Sequence, residues 1–163
     1  MKHPAKKKHP NKPRPDPVVP LSDIERLQLS NEEFAKALIH LAEAEKLAEW
    51  GQAPNACVHS AYYAMEHCAA AALFANGGVG KRRDVPKSHE HLIEHFGNLV
   101  EGKPGILGEC GRMLSRARTD RMKADYGLVE SVSEEDARDT TSDARKFVDA
   151  CEAAWRLGPN RHA

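Results

Sequence analysis

Apolar side chains recur at intervals of three and four along most of this chain, and the breaks between the recurrences predict five helices. Ser30-x-x-Glu33 reads as a capping box that opens the first. Phe34, Leu38, Leu41, Ala44 and Ala48 form its stripe, and Gly51 ends it. The second starts after Pro54, with Val58, Tyr62, Met65, Ala69, Ala72 and Leu73 at helical spacing. Ala69 to Ala72 is a patch of small residues that lets a neighbouring helix approach closely, and Asn76-Gly77-Gly78 closes the helix. Ser88 caps a short third helix carrying Leu92, Ile93, Phe96, Leu99 and Val100. A break from Gly102 to Gly108 contains Pro104. The fourth helix carries Ile106, Cys110, Met113, Leu114, Ala117 and Ala124 and ends near Gly127. The fifth starts at Ser133, places Glu134, Glu135 and Asp136 in its first turn, where the helix dipole favours anions, and stops at Gly158-Pro159. Its stripe is Ala137, Thr140, Ala144, Phe147, Val148, Cys151 and Trp155. No repeat or strand pattern is present. The expected fold is all-α: an up-and-down antiparallel helical bundle of four long helices and one short one.

Composition adds a boundary. Residues 1–20 hold six prolines, six basic side chains and one acidic one, with no large apolar residue before Val18 beyond Met1. Such a segment buries too little surface to offset ordering entropy, so a disordered arm is expected. Residues 1–29 are read as arm and lead-in, 30–158 as the bundle, and 159–163 as a tail. The chain as a whole has a formal charge of zero, so the body beyond the basic arm is acidic on balance. It is not a broadly basic nucleic-acid binder, and any phosphate contact must come from a local cluster. No apolar run is long enough for a membrane span, and no apolar segment follows the N-terminal charges as in a secretory signal. Cys57, Cys68, Cys110 and Cys151 form no CxxC pair. Cys57 and Cys68 share a helix face but lie roughly 16 Å apart along it. All four are read as buried small apolar residues in a reducing, cytoplasmic setting.

The residue that most changes the picture is Arg121. At 100° per residue, Cys110, Met113, Leu114, Ala117 and Ala124 share one face of the fourth helix, and Arg121 falls on it, while Arg112 and Arg116 point away. A guanidinium in an apolar stripe is costly unless paired, and Asp125, four residues on, can pair with it. One reading is an internal ion pair; the other is an arginine held at a groove to meet phosphate. Position alone leaves both open. His89 lies in line with the apolar stripe of the third helix and reads first as a half-buried, satisfied histidine. His91-Leu92-Ile93-Glu94-His95 matches H-x-x-E-H, but with no third ligand in view it reads as a chance match on a solvated face. Tyr62 and Tyr63 read as packing. His59, Ser60 and His67 show no triad in sequence. The loop at 77–87 carries Lys81, Arg82, Arg83 and Lys87, and its glycines do not form a phosphate-binding motif.

Ser60-Ala61-Tyr62-Tyr63-Ala64-Met65, then Lys87-Ser88-His89 with Phe96, then Arg121-Met122-Lys123-Ala124-Asp125-Tyr126 resemble, in order and helix placement, the signatures of HEPN domains over roughly residues 31–157. The match is nearest to a branch with R-x-x-A-D-Y on the fourth helix. The resemblance implies a helical bundle that often dimerises, without cofactor or metal. It implies a nucleotidyltransferase antitoxin as partner, in a toxin–antitoxin-like system, and RNA or a nucleotide as ligand. Many relatives are metal-independent endoribonucleases with an R-x(4–6)-H motif, in which arginine steadies the phosphate and histidine assists the ribose 2′-hydroxyl. Here Tyr126 stands where that histidine is expected, and a phenol is a poor base at neutral pH. The expected function is therefore a binding module, with an endoribonuclease toxin and a structural interaction bundle as the rivals. The implied catalytic set is Arg121, Asp125, Tyr126 and His89, and the implied ligand-binding set is Arg121, Lys87, Arg118 and Tyr63.

Overall fold

The computed structural model describes residues 14–127 and 132–159. Five helices follow in order: α1 Asp23–Trp50, α2 Pro54–Ala75, α3 His89–Val100, α4 Ile106–Tyr126 and α5 Glu134–Trp155. The fold is an all-α helical bundle of four long helices and one short one, as the periodicity predicts. Most of the arm read at 1–20 and of the tail at 159–163 lies outside the described residues.

Two of the expected boundaries are corrected. α1 begins at Asp23 rather than at Ser30: Ser22 is its N-cap and forms the reciprocal capping box with Glu25. Ser30 is instead buried within α1, where its Oγ donates to the carbonyl of Ala71 on α2 at 2.8 Å. At the other end of the chain, α5 stops at Trp155, ahead of Gly158-Pro159, with Arg156 in the left-handed region at φ 50°. The remaining predicted stops and caps hold, with Gly51 left-handed at the end of α1 and Ser88 and Ser133 capping α3 and α5 through their side chains.

α2 is the centre of the bundle and packs on all four other helices. Its sequence explains why. It is apolar nearly all round, and 14 of its 22 residues are buried, the pattern of an interior helix. Ala69 to Ala72 are all buried and let the neighbouring helices close in. That close approach changes the packed face of α1: Phe34, Ala37, Leu41 and Ala44 are buried, whereas Leu38, expected in the stripe, is 43% exposed. Phe96 of α3 and Phe147 of α5 meet at 5.1 Å between ring centroids, with Trp155 against Phe96. All four cysteines are free and buried. Burial also pushes the Cys57 thiol up from its ordinary value, so it behaves as a small apolar residue.

The basic loop at 77–87 folds onto the start of α1. Leu21 N donates to Arg82 O at 2.9 Å, and Arg83 pairs with Asp23 at 2.6 Å. Gly78 is obligatory there, because a Cβ at that position would lie 2.0 Å from the Arg83 carbonyl oxygen and φ is +70°. An isolated bridge between Val79 and Asp84 is the only β pairing among the described residues. No helix among them is long and apolar enough to cross a membrane.

Candidate functional site

Adjacent tyrosines on α2 form the floor of the site. Tyr62 is fully buried and Tyr63 half-buried, and their rings meet edge to face at 5.4 Å. Arg121 crosses from α4 above both. Its guanidinium carbon lies 5.5 Å from the Tyr62 ring centre and 5.4 Å from that of Tyr63. The Arg121 side chain is 16% exposed, so part of its charge is taken out of water and matched by the two rings. Among the described residues its one hydrogen bond is Nε donating to Asp125 Oδ2 at 3.0 Å. The other oxygen of the same carboxylate, Oδ1, lies 3.4 Å from His59 Nδ1. The His59 ring leans on Tyr63 at 4.7 Å and is 45% exposed.

A second histidine stands on the Tyr62 side. His89, the first residue of α3, has its Nδ1 2.9 Å from the Tyr62 hydroxyl and 3.1 Å from Glu66 Oε1. Nδ1 and the Tyr62 hydroxyl are hydrogen-bonded, with Nδ1 donating or accepting according to the ring's tautomer. Glu66 is 17% exposed, and its second oxygen, Oε2, is buried with no partner. Burial, and next the nearby Glu66 charge, push the Tyr62 phenol well above its ordinary value. Tyr62 is thus a neutral platform and hydrogen-bonding group. Arg118, one turn before Arg121, reaches Glu90 of α3 at 3.4 Å and ties α4 to the start of α3.

The polar strip continues onto α1. His67 Nδ1 lies 2.6 Å from Glu33 Oε2, and the His40 ring stacks on His67 at 5.4 Å with planes 2° apart. Burial, and then the neighbouring His67, hold the His40 imidazole below its ordinary value. Burial opposes ionisation of Glu33, but the hydrogen bonds from His67 and Lys36 outweigh it and hold its carboxyl below the ordinary value.

Of the residues singled out in sequence, Arg121, Asp125, Tyr63 and His89 come together here, and Arg118 sits beside them. Tyr126 does not join them: it is the last residue of α4 and is 74% exposed. Lys87 lines a different groove, walled by Leu21, Phe74, Val85 and Leu92, which also reaches Glu66 and His67. His91 is exposed and His95 half-buried. No set of three or more metal-ligating side chains is gathered among the described residues. Three members of the site, His59, Tyr62 and Glu66, lie outside the catalytic and ligand-binding sets expected from sequence. A signal for the first was present, since His59, Tyr63 and His67 recur at i, i+4 on one face of α2.

A family model described as HEPN domain matches residues 31–154, most of the chain, and the protein belongs to that family. A relative named "Putative toxin MJ0605", from Methanocaldococcus jannaschii, is 31% identical over 128 residues, covering 76% of this chain and 90% of its own length. The chain is thus a HEPN-domain protein similar to a protein named as a toxin.

Proposed function

We propose that this chain is a toxin-like HEPN module whose Arg121 site takes a backbone phosphate of an RNA strand. The observation that carries the reading is the state of the Arg121 side chain. Its guanidinium carbon lies 5.5 Å from the Tyr62 ring centre and 5.4 Å from that of Tyr63, and among the described residues its one hydrogen bond is through Nε, which leaves both terminal nitrogens for a bidentate anion. An ion pair serving stability alone needs neither tyrosine. Tyr63 and His59, half-buried or half-exposed beside it, offer ring faces on which an unpaired base can stack. On the other flank of α4, Asp120, Asp136, Asp139 and Asp143 line an acidic cavity with α5 that repels a phosphate chain and confines the strand to the Arg121 side. The name of the relative supports a toxin role, and with it a neutralising partner. The HEPN resemblance points to a nucleotidyltransferase as that partner.

The test is the binding of a short single-stranded RNA, followed by fluorescence anisotropy at two salt concentrations. Wild type is expected to bind with an affinity that falls with salt, and Arg121→Ala to bind at least about tenfold more weakly. Arg121→Lys restores little, because a point charge does not reproduce the stacked fork. Equal binding by wild type and Arg121→Ala overturns the reading.

A further inference from the structure

The loop between α2 and α3 carries Lys81, Arg82, Arg83 and Lys87, and the fold uses only one of these cations. Arg83 is turned inward. Half-buried, it pairs with Asp23 at 2.6 Å and donates to the Leu21 carbonyl at 3.3 Å. Lys81, Arg82 and Lys87 are exposed and line one groove with Val79, Val85 and Pro86, and their side chains have no partner among the described residues. The acid in that groove is Asp84, whose Oδ1 accepts from Val85 N at 2.8 Å. Backbone bonds fix the loop: Val79 N donates to Asp84 O at 2.7 Å, Arg83 N to Gly80 O at 3.1 Å and Leu21 N to Arg82 O at 2.9 Å. On a body that is acidic on balance, three unmatched cations on one fixed loop are a local site for anions.

We propose that Lys81, Arg82 and Lys87 hold a second stretch of the strand bound at Arg121, so that the ligand is a single-stranded RNA several nucleotides long and not a mononucleotide. The proposal rests on Arg121 taking an RNA phosphate. Chain geometry joins the two places. Lys87 lies two residues before His89, so their Cα atoms are at most about 7.6 Å apart. His89 meets the Tyr62 hydroxyl at 2.9 Å, and the Arg121 guanidinium carbon lies 5.5 Å from the centre of that ring. Arg118 reaches Glu90, the residue after His89, at 3.4 Å and so matches an acid at the start of α3. Arg121 and Arg118 on α4 are thereby linked across the start of α3 to the loop cations. A second groove, walled by Leu21, Leu29, Phe74 and Leu92, shares Val85, Pro86 and Lys87 with the first. Glu33 and Glu66 line it as well, so it repels phosphates and suits an uncharged base of the span. Phosphates alternating with bases match cations alternating with apolar walls; an acidic peptide matches the cations alone.

The experiment titrates the full chain with a uridine trinucleotide and with a uridine strand of about 12 nucleotides, by fluorescence anisotropy over a series of salt concentrations. One variant carries Lys81→Gln, Arg82→Gln and Lys87→Gln together. A control carries Lys46→Gln, Lys103→Gln and Lys146→Gln, which removes the same charge from exposed positions on α1, after α3 and on α5. The loop variant should bind the long strand about tenfold or more weakly, with a salt slope shallower by about 2, since each phosphate contact on a single strand contributes about 0.7. Its affinity for the trinucleotide should stay within about threefold of wild type, and the control should bind both as wild type does. Arg121→Ala should weaken both. A loop variant that binds the long strand as wild type does overturns the proposal and leaves the Arg121 site standing. If that variant then loses binding to poly-glutamate, the loop is a dock for an acidic protein segment. An equal loss in the control, or an equal loss on the trinucleotide, also overturns the placement. Arg121→Ala that binds both RNAs as wild type does removes the Arg121 site itself.

Discussion

Asp125 Oδ2 accepts from Arg121 Nε at 3.0 Å from one helical turn further along α4, while Oδ1 of the same carboxylate lies 3.4 Å from His59. One side chain therefore sets the angle of a guanidinium and the orientation of an imidazole. Asp125→Asn separates these duties from simple charge. The amide oxygen still accepts from Nε, so the loss of folding stability is expected to be about 1 kcal/mol, read from urea unfolding. Removing a negative charge beside the phosphate offsets the weaker anchor, and RNA affinity should stay within about threefold of wild type. An affinity that falls as far as that of Arg121→Ala would make Asp125 part of the phosphate site and not only a stabilising partner of Arg121.

The two tyrosines are separable in the same way. Tyr63→Leu removes one of the rings beneath Arg121, a contribution of about 0.5–2 kcal/mol, and the surface on which His59 leans. RNA affinity should fall about three- to tenfold by anisotropy. Tyr62→Phe keeps the ring and removes the hydroxyl that His89 contacts at 2.9 Å. Its expected cost is about 1 kcal/mol of folding stability, with affinity unchanged. The reverse pattern would shift phosphate binding away from the guanidinium.

Stability should depend on pH in two steps. His40 is held below the ordinary imidazole value of 6.5 by burial and by His67, with His59 acting in the same direction and Glu43 against it. The unfolded chain takes up that proton first. Stability is therefore full above pH 6.5 and falls as pH drops through 6.5 toward the lower folded value. Glu33 has the depressed value of a paired carboxylate. Its contribution is present above 4.5 and is lost as pH falls further, through its folded value. His40→Phe keeps a ring against His67 and removes the first step. Urea midpoints taken between about pH 8 and 5 should fall less in the variant than in wild type. An equal fall would assign the slope to another group.

Arg121 was legible in sequence because helical phase put a guanidinium on the same face as Cys110, Leu114 and Ala117, which are all buried. Asp125 followed from i, i+4 spacing. The tyrosine floor did not follow, because phase shows that Tyr62 and Tyr63 are packed but not which helix lies over them. The same limit hid His59 and Glu66. Their partners sit on α4 and α3, and the pairing depends on how closely α2 nests among its neighbours. Leu38 failed for a related reason. Alanines at 69 to 72 draw the helices together, and the buried face of α1 turns to admit Ala37 and leave Leu38 partly in solvent.

The start of α1 shows a local signal used twice over. Ser22-x-x-Glu25 and Ser30-x-x-Glu33 both read as capping boxes, and no proline or glycine lies between them to stop a helix that has begun at the first. At Ser22 the box is formed, with Oγ accepting from Glu25 N at 3.2 Å and Glu25 accepting from Ser22 N at 2.7 Å. At Ser30 the hydroxyl instead donates across to Ala71 O in a buried contact between α1 and α2. The two serines should therefore respond differently to the same substitution. Ser22→Ala removes a cap at an exposed helix end and should cost about 0.5–2 kcal/mol. Ser30→Ala removes a buried donor but no cap. Its cost should be about 1 kcal/mol, and Ser30→Val, which adds bulk at the tight α1–α2 contact, should cost more than Ser30→Ala. Amide exchange separates the two mechanisms. Ser22→Ala should speed exchange only in the first turns of α1, whereas Ser30→Ala should leave those turns protected and lower the global stability. Loss of protection at 23–29 in Ser30→Ala would return the start of the helix to Ser30.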